Sequence, residues 1–288
     1  MKNTFFRFPS ILLLLLLTVL LPGFKPVKTY SFKWTSLFNG KDLSGWDTYL
    51  GPVYDPKING FSGAAIGLNN DPNHVFSVVQ LADGDAVIHI TGENFGALVT
   101  KNEFKNYHLQ LQFKWGNKTW ANKKGKKMDS GLLYHSVGKN NADNGFWMRS
   151  QEFQIEEGNC GDYWGCADAF NEINAIRKSD SEYVYHPQGI STVFSAHTKE
   201  GRRCIKKGDA EKPAGEWNTL DLYCYDDASI HVVNGKVMMV LNHSQQWDNG
   251  KSTPLVKGKI QLQSEGAEIY YKEIKIMPIN QLPVSLIK

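Results

Sequence analysis

Tyr107-His108-Leu109-Gln110-Leu111-Gln112-Phe113-Lys114-Trp115 decides the fold class. Tyr107, Leu109, Leu111, Phe113 and Trp115 alternate with His108, Gln110, Gln112 and Lys114, a period of two that belongs to a strand with one face in a core and one face wet. The pattern recurs toward the C-terminus in Leu220 to Tyr225, Ser229 to Val233 and Lys236 to Leu241. Asn234-Gly235, between the last two, is the dipeptide of a tight hairpin. Lys259 to Gln263 and Glu268 to Met277 add two closing strands. Many short strands, polar connections and almost no helical periodicity predict an all-β antiparallel sandwich. Residues 116–128 hold five lysines between Lys118 and Lys127 and are expected to form an exposed loop. No repeat or Pro-rich linker divides the chain, so residues 30–288 are expected to form a single domain.

Upstream of that domain the sequence changes character. Lys2 and Arg7 precede an apolar run from Ile11 to Leu21, interrupted only by Thr18, and Pro22-Gly23 follows. The apolar run is shorter than the roughly 20 residues of a spanning helix, so residues 1–25 read as a cleaved secretory signal, with an uncleaved anchor as the alternative. Over all 288 residues Lys plus Arg number 32 and Asp plus Glu 29, and three of the basic residues lie in this leader. The balanced remainder excludes the dense positive surface of a nucleic-acid binder. In an exported chain Cys160, Cys166, Cys204 and Cys224 are candidates for disulfides, with a local Cys160–Cys166 pair leaving Cys204 with Cys224. Their spacing is not that of a zinc site.

Chemistry concentrates between Met128 and Trp164. In Gln151 to Glu157, Glu152, Gln154 and Glu156 share one strand face while Phe153 and Ile155 take the other. Trp147, Arg149, Tyr163 and Trp164 flank this strand, and flat aromatics beside carboxylates and amides are what a sugar site requires. Asp129-Ser130-Gly131 begins as a turn, after which Leu133 and His135 are expected on one strand face. His135 suits proton transfer near neutrality, and Lys114 or Arg149 could supply positive charge.

Ser36-Leu37-Phe38-Asn39-Gly40-Lys41-Asp42-Leu43-Ser44-Gly45-Trp46 resembles the opening motif of the 3-keto-disaccharide hydrolase domain family. The resemblance continues in order through Asp129-Ser130-Gly131, Gln151 to Glu156, Gly161-Asp162-Tyr163-Trp164, Gly215-Glu216-Trp217-Asn218, Asn234-Gly235 and Gly258 to Gly266. The chain departs from the common family pattern at Asp129, His135 and Glu265. The resemblance implies a concanavalin-like jelly-roll sandwich and a secreted or periplasmic enzyme whose partner is an oxidised (3-keto) disaccharide or glycoside. A ketone at carbon 3 acidifies the carbon 2 hydrogen, so such a site needs a base, an electrophile for the enolate and an acid for the leaving oxygen. Glu156 and His135 are the candidate base or acid, and Lys114 and Arg149 the candidate enolate stabilisers. Glu152, Gln154, Trp147, Tyr163, Trp164, Gln263 and Glu265 are the substrate-binding candidates.

The sequence by itself assigns no cofactor. A divalent metal held by His135, Glu152 and Glu156 is an alternative electrophile, although these residues lack a dedicated ligand spacing. Two other functions compete. One is a laminarinase-type retaining glycosidase, whose carboxyls stand about 5 to 5.5 Å apart; Glu152 and Glu156 on a flat strand are roughly 13 Å apart at the backbone. The other is a lectin-like protein that binds glycan and cleaves nothing.

Overall fold

The computed structural model describes Met1 and residues 32–287, and residues from Phe32 onward form one compact unit. The predicted leader lies outside the described residues. Among the described residues there are strands and two single 3₁₀ turns, Ala121–Lys123 and Val284–Leu286, and no helix long and apolar enough to cross a membrane. The strands build a 12-stranded and an 8-stranded sheet, with a small ribbon of Val53–Asp55 and Gly60–Ser62 beside them. The ladders between these strands are antiparallel, as in Asp129–Val137 with Arg149–Glu156, and an isolated parallel bridge joins Val184 to Ile205. The expected antiparallel jelly-roll sandwich is the fold.

The Tyr107–Thr119 strand lies inside the larger sheet between Asn218–Tyr225 and Ala267–Pro278. Its apolar face, Leu109, Leu111 and Phe113, is fully buried against Leu98, Leu132, Phe153, Ile155 and Leu262 of the smaller sheet. Each such side chain contributes about 1.5–3 kcal/mol on burial, so the alternating pattern both chooses the strand and fixes its register. Asn234 and Gly235 both adopt positive φ, 48° and 77°, which gives the mirror-image turn that matches strand twist.

Two expectations are corrected. The lysine-rich stretch is not simply an exposed loop: the strand continues to Thr119, and the 3₁₀ turn after it carries Lys123 inward to bond Asp129. The four cysteines are free thiols and all are buried. Cys160 and Cys224 pack in the core between the sheets, whereas Cys166 packs on the opposite face of the smaller sheet and Cys204 in a satellite cluster. The proposed local loop therefore separates Cys160 from Cys166 across a sheet.

Candidate active site

The smaller sheet runs in the order Arg203–Cys204, Tyr163–Cys166, Arg149–Glu156, Asp129–Val137, Lys259–Ser264, Gly96–Thr100, Trp46–Leu50, Gly67–Leu68. One face packs on the core. On the other, Ala97, Val99, Leu133 and Cys166 are covered by Phe95, Phe146, Trp147 and Met148. That apolar cover stops short of the hairpin end, and there a polar cavity of about 340 Å³ opens.

Register builds the cavity floor. Asp129 pairs with Glu156, Gly131 with Gln154 and Leu133 with Glu152, so alternation brings Asp129, Glu152, Gln154 and Glu156 to the same face. Gln263 and Glu265 approach from the neighbouring strand, Trp164 from the other side, and Trp147 closes one wall with its indole N–H donating 2.9 Å to the Gly96 carbonyl. Gly131 leaves room for the two side chains over it: a Cβ there would lie 2.4 Å from Oε1 of both Gln263 and Glu152 and would displace them. The Asn159 amide donates to Glu156.

Burial raises three of the site's carboxyls. It pushes Glu152 up to about 8, reinforced by Asp129 and Asp143, while the Cys166 thiol donating at 3.2 Å pulls the other way. Burial likewise raises Asp129 to about 7 even though the Lys123 ammonium bonds it. Glu265 is raised by burial, with Asp129 and Glu152 adding to the effect. At neutral pH Glu152 is thus a neutral acid, and positive charge comes from Lys123, Arg202 and Arg203. The carbonyl oxygens of Gln154 and Gln263 are buried without a hydrogen-bond partner, acceptors that suit the hydroxyl donors of a sugar.

Glu152, Gln154, Glu156, Trp147, Trp164, Gln263 and Glu265 are therefore brought together. Four other candidates are not. His135 sits where the register of its strand shifts between Tyr134 and Val137, at φ 52°, and this bulge turns the ring away from the face of Leu133. It lies 1% exposed against Tyr107 and Tyr134, with burial holding it down to about 4. Lys114 is on the outer face of the larger sheet, over the rings of Trp217 and Tyr270. Arg149 donates to the Ala167 carbonyl and the Gln246 side chain in a separate cleft with Asp168, His197 and Trp247. Tyr163 points into the core, its hydroxyl 2.7 Å from Gln151.

The metal set that includes His135 cannot assemble, because that ring is on the other side of the sheet from Glu152 and Glu156. Among the described residues no group of three His, Cys, Asp or Glu side chains is placed to hold a metal ion. Pairing of residues 129–134 with 151–156 is uninterrupted, so no bulge draws Glu152 and Glu156 toward the separation of a retaining pair. Lys123, Asp129, Arg202 and Arg203 were not among the sequence candidates. The Asp129-Ser130-Gly131 motif and the adjacent Arg202-Arg203 pair are the signals that mark them.

A comparison with curated proteins finds no match. Among solved structures, a candidate glycosyl hydrolase of Parabacteroides distasonis is 19% identical, with 86% of this chain and 100% of that one covered at a TM-score of 0.47. The LamAcat protein of Zobellia galactanivorans is 10% identical, with 81% and 91% covered at 0.41. A β-glucanase of Bacillus licheniformis is 8% identical, with 88% and 100% covered at 0.39. The profile of the 3-keto-alpha-glucoside-1,2-lyase-like domain matches residues 33–277, so the chain belongs to that family and is a carbohydrate-active enzyme.

Proposed function

We propose that this protein cleaves the glycosidic bond of 3-keto-glycosides by elimination, outside the cytoplasm if the leader acts as an export signal. Glu156 removes the carbon 2 proton, and the electrons of that C–H bond pass into the enolate oxygen at carbon 3. Lys123 and Arg202 stabilise that oxygen. Collapse of the enolate forms a carbon 1–carbon 2 double bond and breaks the bond from carbon 1 to the leaving oxygen, which takes its proton from neutral Glu152. The products are a 1,2-unsaturated 3-keto sugar and a free alcohol. Water addition, hydroxide to carbon 1 and a proton to carbon 2, makes the net reaction a hydrolysis.

The observation that carries this reading is the pair of carboxyls on one strand face in different surroundings, Glu152 buried and raised to about 8 and Glu156 half-buried at the cavity edge, where the Asn159 amide bonds it. Gln154 and Gln263 orient the ring through their unpartnered carbonyls, and Trp164 and Trp147 line its sides. Purified protein incubated with 3-keto-trehalose and with unoxidised trehalose tests it. Turnover of the ketone alone is expected, cleavage of both identifies an ordinary glycosidase, and binding without cleavage identifies a lectin.

A further inference from the structure

Trp164 lines two cavities. On one side is the carboxylate site, and on the other, at the edge where the two sheets meet, a recess of about 280 Å³ shares Trp164, Arg202 and Arg203 with it and adds Tyr183, Glu182 and Glu200. The partition is fixed by packing. The Arg202 and Arg203 guanidinium carbons lie 5.3 and 5.4 Å from the Trp164 ring centroid. Arg203 donates through Nε and Nη2 to Asp162, which is fully buried, and Arg202 through Nη1 to Asp143. Anchored in this way, each guanidinium keeps further N–H donors for a ligand. The backbone is equally tied: the Ile205 amide donates to the Tyr183 carbonyl at 2.9 Å and the Tyr185 amide returns to Ile205 at 2.8 Å.

We propose that this edge recess is the leaving-group subsite and that it takes a second sugar ring. The inference rests on the elimination reading, in which the oxidised ring occupies the carboxylate cavity and the bond to be broken must emerge from it. Trp164 supplies an aromatic wall common to both rings. The recess offers guanidinium donors for ring and hydroxyl oxygens, the carboxylates of Glu182 and Glu200 as acceptors for hydroxyl hydrogens, and the Tyr183 ring as an apolar side, the mix that a polyhydroxylated ring needs. Glu182 and Glu200 have no place in the proton transfers, so they set specificity alone.

The test compares 3-keto-trehalose, which has a second sugar, with methyl 3-keto-α-glucoside, which does not, using wild-type protein and a Glu182→Gln, Glu200→Gln double variant. The expected result is that the double substitution lowers kcat/KM for 3-keto-trehalose about tenfold or more while leaving the methyl glycoside within about twofold. Equal loss on both substrates, or no loss on either, overturns the subsite. Wild-type protein inert toward both overturns the elimination reading instead. Calorimetry with trehalose then decides the subsite separately: affinity weakened by the double substitution keeps it, and unchanged affinity removes it.

Discussion

Replacing Glu152 by Gln should change how stability depends on pH, and the size of that change follows from its burial. The side chain is 6% exposed and its carboxyl is raised from 4.5 to about 8. Between those values the folded chain holds a proton that the unfolded chain has released, so the native state binds more protons and wild-type stability falls as pH rises from about 4.5 to about 8. Below that window both states are protonated, and above it both are ionised. A shift of this size corresponds to roughly 4 to 5 kcal/mol as a ceiling, and water entry or relaxation around the ionised group reduces it toward 2. Glutamine keeps the shape and an acceptor oxygen for the Cys166 thiol but has no proton to lose. Urea unfolding of both proteins at several pH values from 5 to 9 measures the difference. The wild-type free energy of unfolding minus that of the variant should fall by about 2 to 5 kcal/mol across the window. A difference that stays constant with pH would refute the placement of a neutral Glu152 in the cavity.

Glu156→Gln should lower turnover of a 3-keto glycoside by about 10²- to 10⁴-fold with melting little changed, measured by kinetics and calorimetry together. His135→Ala should instead cost about 2 to 4 kcal/mol of stability, seen in thermal melts, while the protein that remains folded keeps its turnover, because the ring fills core space beside Tyr107 and Tyr134. Since burial holds His135 near 4, the unfolded chain binds its proton first, and the wild type should lose stability as pH falls from about 6.5 to about 4. Gly131→Ala should displace Gln263 and Glu152 and reduce kcat more than it lowers the melting temperature. Reductant should leave the melting temperature unchanged and thiol reagents should label the four cysteines only after denaturation; a fall in melting temperature on reduction would show a disulfide.

The parts of this protein legible in its sequence are those governed by strict alternation. Tyr107 to Trp115 and Gln151 to Glu156 assign side chains to faces without any knowledge of neighbours, and both assignments hold in the sheets. Alternation fails where the chain inserts a residue. The bulge after Tyr134 reverses His135, and nothing in Leu132 to Val137 signals it, because the positive φ is imposed by pairing with Lys259–Ser264 on one side and Arg149–Glu156 on the other. Face is also not the same as sheet. Lys114 does lie on the polar face of its strand, but that strand belongs to the larger sheet, whose polar face is on the far side of the sandwich. Tyr163 and Trp164 were both candidates as aromatics, yet as consecutive strand residues they had to diverge, and only Trp164 meets the cavity. Lys123 is illegible in the sequence for the opposite reason. Five lysines in ten residues look like a solvated run, and only the short turn Ala121–Lys123 selects one of them to face Asp129.

Label at carbon 2 tests the elimination most directly. When 3-keto-trehalose carrying deuterium at carbon 2 of the oxidised ring is turned over in ordinary water, Glu156 should take that deuteron and exchange it with solvent. Mass spectrometry of the oxidised-ring product should find the deuterium gone, whether the unsaturated sugar is released or water is added back. Product that retains deuterium at carbon 2 after the glycosidic bond is broken would contradict the account, because the bond would then have been cleaved without carbon 2 losing its hydrogen.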